Sequence, residues 1–247
     1  MKMTIKQIYS ILDDIAPFID AQPWDNSGIL INPNKLNEQE IDFKNIVLSL
    51  DLDLEQAKQA AENTLFIVHH PLIFKGLKSI DCSAYPSSII SELLAKKSAL
   101  IAMHTNFDIH ILNEYVLRNV LGISEYEKDG FICTFSVNQS FDDFAAFIKN
   151  KLEIEHLRVV KSSDFVKKAA FCTGSGADLI GQFSADCFLT GDLKYHTAFE
   201  SYANALSLID IEHFASEKYF GAALQKALQK YELCATITNS INPFSYK

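Results

Sequence analysis

Short apolar runs that alternate with helical patterns constrain this chain more than any other feature of its sequence. IVLSLDL (46–52), LFIVHH (65–70), ALIAMHT (99–105), KAAFCTG (168–174), DCFLTG (186–191) and LSLIDI (206–211) are short and apolar enough to be buried strands. Between them, QIYSILDDIA, SSIISELLAKK, LKYHTAFESYANA and YFGAALQKALQKYEL repeat apolar residues every three or four positions, the spacing of an amphipathic helix. Strands alternating with helices predict an α/β fold, with helices layered on mostly parallel or mixed β-sheets. The polar stretch GISEYEKDG (122–130), bounded by glycines, reads as a connection between lobes. LCATITNSINPFSYK reads as a closing strand followed by an irregular tail.

In such sheets, ligands gather at the carboxyl ends of the strands. His69–His70, His104–Asp108, Thr190–Asp192 and Glu212–His213 all fall where an expected strand ends. The formal net charge of −9 argues against general nucleic-acid binding, which shows as a basic surface excess. It leaves room for a phosphorylated small ligand, whose attraction a metal or a local lysine pair can supply. No apolar run approaches the roughly 18 residues that span a bilayer, so no membrane partner is expected. The first residues lack the apolar core of a signal peptide, and a cytoplasmic location is expected. The five cysteines are scattered, odd in number and free of any CxxC pattern, as suits buried thiols in a reducing compartment.

His69-His70-Pro71 is the first unusual feature. Adjacent side chains on a strand point to opposite faces, so both imidazoles can converge only where the strand is breaking. Pro71 disfavours continuation at that point. His104-Thr-Asn-Phe-Asp108 follows the apolar run ALIAM and places a carboxylate, a common hard ligand, at a strand's end. The same residue types also announce a turn or a helix cap. His213-Phe-Ala-Ser-Glu217 opens a helix, and its i, i+4 spacing puts both side chains on one face. Three histidines with two carboxylates suit zinc, iron or manganese and are too rich in nitrogen for calcium or plain magnesium. Asp25, Lys75, Asp192, Lys194 and His196 are candidate substrate contacts. Gly174-Ser175-Gly176 could present backbone N–H groups to a phosphate, although a plain βα turn explains it as well.

PWDNSGILI (23–31), VHHPLIFKGLKSI (68–80), MHTNFD (103–108), TGSGADLI (173–180), DCFLTGDLKYHTAFES (186–201) and EHFASE (212–217) resemble, in order, the signature segments of the GTP cyclohydrolase I type 2 family, also called Nif-three-like. The match runs from about residue 4 to 247, in long collinear motifs. The resemblance implies two divalent metal ions per chain: His70 and Asp108 serve one, His69 and His213 the other, and Glu217 bridges both. The last motif departs from the usual GHYATE at Glu212, Phe214 and Ser216, which leaves both ligands intact. Thr197 stands where many relatives carry Asp.

The resemblance further implies two intertwined α/β lobes of similar topology, with the metal site in the inter-lobe cleft, and a ring-shaped homohexamer. The lobes are expected at residues 1–125 plus 215–247 and at 126–214. A bound metal lowers the pKa of water to about 7, so metal-assisted hydrolysis is the expected chemistry. The family name points to GTP, opened to dihydroneopterin triphosphate with loss of formate. The alternatives are a non-catalytic protein that stores or delivers metal and a regulatory or interaction module.

Overall fold

A computed structural model describes residues 3–36 and 38–245. Its strands are β1 (Gly28–Ile31), β2 (Asn45–Ser49), β3 (Thr64–Val68), β4 (Ala99–Ala102), β5 (Glu127–Asp129), β6 (Ile132–Ser140), β7 (Arg158–Val160), β8 (Phe165–Phe171), β9 (Cys187–Thr190), β10 (Ser207–Asp210) and β11 (Thr236–Ile237). The chain forms two compact units: residues 1–110 with 220–241, and residues 111–219 with 242–247. The fold is α/β with two mixed sheets, as the alternating pattern predicts.

Unit 1 holds a sheet in the order β1-β4-β3-β2-β11. β2, β3, β4 and β11 are parallel neighbours, and β1 runs antiparallel along β4. Every residue of β3 and β4 is buried, the reason their sequences read as unbroken apolar runs. Phe66, Val68, Leu100 and Ala102 on the sheet pack with Ile89, Ile90 and Leu93 of the helix Ser87–Ala95. Leu100→Ala should therefore cost about 2–5 kcal/mol, lost side-chain burial plus the cavity left behind, read as a lower urea midpoint. The first helix, Ile5–Ile15, starts at a Thr4–Gln7 capping box and buries Ile5, Ile8, Leu12 and Ile15.

Unit 2 holds a sheet in the order β5-β6-β8-β9-β10-β7. β8, β9 and β10 are parallel; β7 lies antiparallel on β10, and β6 antiparallel on β8. Ile132, Ala170, Phe188 and Leu208 make its core with Cys172 and Leu193. Both sheets therefore contain one motif, three parallel strands flanked by an antiparallel edge: β1-β4-β3-β2 in unit 1 and β7-β10-β9-β8 in unit 2. Within each motif the first of its four strands in the chain becomes that edge, and the last of the four lies against it.

Some elements lie outside the expected set. Residues 127–129, part of the stretch expected to connect lobes, form β5 and pair with β6. β6 itself is bent by a register shift at 136–139, where Asn138 takes φ 55°. The helix Phe141–Leu152 follows directly, capped by Ser140, whose side chain accepts from Asp143 N–H. Cys133, Cys172 and Cys187 are buried, whereas Cys82 and Cys234 are exposed. Burial pushes the Cys133 thiol up to about 11, so it behaves as a small apolar side chain. Among the described residues no helix is long and apolar enough to cross a membrane.

Candidate metal centre

In unit 1 the end of β3 brings two imidazoles together. The ladder stops at Val68. His69 N–H then donates to the Ser49 and Leu50 carbonyls at 3.2 Å, and His70 N–H donates to the same Leu50 carbonyl at 3.0 Å. Two successive N–H groups sharing one acceptor means that the strand has curled out of its pleat, which frees the rings from opposite faces. Their centroids are 5.1 Å apart. His69 is fully buried; its Nδ1 lies 2.8 Å from the Met103 carbonyl, and its Nε2 lies 3.4 Å from Asp108 Oδ1. His70 Nδ1 lies 2.7 Å from Asp51 Oδ1.

A carbonyl or carboxylate at Nδ1 can only accept, so Nδ1 carries the proton and Nε2 is the nitrogen that a metal would take. β4 supplies the next group. Its ladder ends at Ala102, the His104 N–H reaches Ser27 Oγ at 3.3 Å, and one helical turn begins at His104. Asp108 N–H donates to the His104 carbonyl at 3.1 Å, which sets the two side chains one turn apart. One ring nitrogen from each of His69, His70 and His104 lies within 4.8 Å of the others.

Asp25 sits beneath His104. Its Oδ1 accepts from His104 Nδ1 at 2.8 Å and Asn26 N–H at 2.7 Å. Its Oδ2 accepts from Ser27 Oγ at 2.8 Å and from Thr105 Oγ1 and N–H at 2.6 and 3.2 Å. Burial alone would raise its pKa, but the hydrogen bonds from His104, Thr105 and Ser27 and the His104 charge outweigh it and hold the carboxyl far below its usual range. With both oxygens occupied, Asp25 orients the His104 imidazole.

Unit 2 builds a second cluster on the helix His213–Glu217, which starts three residues after β10. His213 Nδ1 lies 2.7 Å from Asp192 Oδ2, just beyond the end of β9. His213 Nε2 lies 2.9 Å from Glu217 Oε2, the geometry the i, i+4 spacing predicts. Glu217 is buried and lies against Gly174, where an added Cβ would stand 2.0 Å from Glu217 Oε1. In the Gly174-Ser175-Gly176 turn both glycine N–H groups are already used. Gly174 donates to Ser216 Oγ at 3.0 Å and Gly176 to Thr190 Oγ1 at 2.7 Å.

Lys75, Lys194 and His196 are exposed. Lys194 precedes the helix Tyr195–Ala203, and the His196 ring lies on Tyr195. Asp51 and His104 are the residues that reasoning on spacing passes over. Asp51 gives no signal in the sequence, because it meets His70 only through the adjacency of β2 and β3. His104 does give one, in the shared His-x-x-x-acid spacing of HTNFD and HFASE.

In each unit imidazoles held at Nδ1 stand beside a carboxylate, a mixed nitrogen and oxygen environment that suits a borderline divalent ion.

The sequence pattern of the Duf34/NIF3 (NGG1p interacting factor 3) family matches residues 3–243. A Campylobacter jejuni protein named GTP cyclohydrolase 1 type 2 homolog is 44% identical, covering 99% of this chain and 100% of its own. A Helicobacter pylori protein named GTP cyclohydrolase 1 type 2 is 36% identical, covering 97% of each chain. In three dimensions the fold is similar to that of a Staphylococcus aureus hypothetical protein, with TM-score 0.84, 28% identity and full coverage of both chains.

Proposed function

This chain belongs to the Duf34/NIF3 family, and from that premise we propose that it is a metal-dependent hydrolase of the GTP cyclohydrolase 1 type 2 kind. Its ligands are His69, His70, Asp108, His213 and Glu217, which together hold two divalent ions of zinc, iron or manganese. The observation that carries the reading is the treatment of Nδ1. Met103 O, Asp51 and Asp192 engage His69, His70 and His213 in turn. An oriented acceptor at Nδ1 fixes the tautomer that a metal-bound imidazole needs, and three histidines share it.

Ions bound by these residues supply water activated at neutral pH and polarisation of the bond under attack. The chain's own groups do the rest. Asp51, Asp192 and the Met103 carbonyl orient the imidazoles. Asp108 and Glu217 bring the negative charge that a divalent ion requires. The substrate reading follows the names of the relatives: GTP and water would give formate and dihydroneopterin triphosphate.

The test is metal content and formate release from GTP, measured together on the zinc-, iron- and manganese-loaded protein. Two ions per chain with formate release are expected. Glu217→Gln should lower release about 100-fold or more, above the 10–100-fold typical of residues outside the ligand set. Two ions without formate release would favour storage or delivery of metal over hydrolysis. No bound ion would end both readings.

A further inference from the structure

The two units repeat one motif, and the repeat extends to the residues that follow the last parallel strand. In unit 1 β4 lies against the antiparallel edge β1, and in unit 2 β10 lies against the antiparallel edge β7. His104-Thr-Asn-Phe-Asp108 begins two residues after β4, and His213-Phe-Ala-Ser-Glu217 begins three residues after β10. His104 caps the helix that starts at Thr105 and His213 is the first residue of its helix, so in both the acid comes about one turn later. In both, the histidine's Nδ1 is taken by an aspartate from another loop, Asp25 at 2.8 Å and Asp192 at 2.7 Å. The proposed ligand set uses both members of the unit 2 pair but only the acid of the unit 1 pair.

We propose that His104 is a further metal ligand, a third imidazole beside His69 and His70, and that Asp25 is its positioning residue. The inference rests on the metal-binding reading above and adds a ligand to it.

Distances within unit 1 agree. The His104 ring lies 5.2 Å from the His69 ring and 5.8 Å from the His70 ring, centroid to centroid. With Nδ1 committed to Asp25, the nitrogen it can offer is Nε2. Three imidazoles form a set that holds zinc and leaves a position open, and Asp108 adds an oxygen donor beside His69. Asp25 receives donors on both oxygens and its side chain is fully buried. A brace for the 25–27 loop alone would not need the imidazole, since Asn26, Ser27 and Thr105 already hold the carboxylate. The Trp24 and Phe74 rings meet His104 in edge-to-face geometry, each with its centroid 6.2 Å from that of the imidazole, so apolar walls flank it.

The experiment is a cobalt(II) titration of the full chain, read through the ligand-field absorption bands and by competition with a chelator. His104→Ala should bind the tightest ion at least 10-fold more weakly and shift the bands, as expected when a nitrogen donor is lost. Asp25→Asn should weaken binding about 10–100-fold, as carboxylates behind metal-bound histidines do. Added imidazole should restore part of the spectrum to His104→Gly. Wild-type affinity and an unchanged spectrum in His104→Ala, with loss in His70→Ala, would overturn this inference and leave the proposed function intact. No cobalt uptake by the wild type would remove both. Should His104→Ala fail to fold, the Asp25→Asn titration decides: an unchanged affinity there overturns the proposal.

Discussion

A His70→Ala protein is expected to leave purification with much less metal than the wild type, and to lose turnover with it. His70 sits where β3 curls out of its sheet, its backbone held by the Leu50 carbonyl and its ring by Asp51. Neither hold depends on the ring's far nitrogen, so alanine removes a donor without removing a support. The side chain is 25% exposed and hydrogen-bonded to Asp51, so truncation also costs stability, on the order of 1 kcal/mol. Metal content should therefore be read beside the unfolding midpoints of the metal-free forms, which should differ only modestly. Asp51→Asn gives a graded comparison, with affinity down about 10–100-fold. Asp51 is itself held from the closing segment, where Ser240 Oγ accepts from the Asp51 N–H at 2.9 Å. Elemental analysis of the three proteins decides the matter. Equal metal content in wild type and His70→Ala would remove His70 from the ligand set.

The parallel strands were legible because burial on both faces leaves no polar position to break the run. β3, β4, β9 and β10 are buried at every residue. The antiparallel members β5, β6 and β7 were not. All residues of β5 are exposed, and β7 buries none of its three. Such strands are held by ladder hydrogen bonds to a neighbour, a relation that leaves no periodicity in their own residues. β6 alternates only over its first half, before the shift at 136–139 moves the pattern out of step. The stretch 122–130 failed for a related reason: polar residues between glycines describe an edge strand as well as a connection.

The candidate site was legible where its chemistry depends on neighbours in sequence. HHP, HTNFD and HFASE each carry their geometry in spacing, and the structure realises it in the paired rings of 69 and 70 and the 2.9 Å His213–Glu217 contact. What lies behind the imidazoles was hidden, because Asp51 and Asp25 reach them across 19 and 79 residues. A carboxylate that orients a histidine looks, in sequence, like any other loop aspartate. Asp25 precedes a strand and Asp192 follows one, and each places a carboxylate oxygen at a histidine Nδ1.

Gly174→Ala should disable the unit 2 cluster without touching a single ligand. The backbone there has φ +60°, which costs an L-residue roughly 1–2 kcal/mol. The larger effect is steric. The new methyl would stand 2.0 Å from Glu217 Oε1 and 3.0 Å from its Cδ, far inside contact distance, so either the carboxylate or the turn must move. The turn is fixed by the Gly174 N–H to Ser216 Oγ and by Gly191 N–H to the Gly174 carbonyl at 2.7 Å, and the carboxylate is therefore the part that yields. Displacing Glu217 should weaken metal binding as strongly as Glu217→Gln, in a protein whose ligands are all present. Gly122→Ala is the matched control: φ is +76° and nothing lies within 4 Å of the added carbon. It should lose similar backbone stability and keep its metal. Calorimetric titration of the two variants separates strain from displacement. Full metal affinity in Gly174→Ala would mean that Glu217 holds no ion from the position it occupies against this glycine.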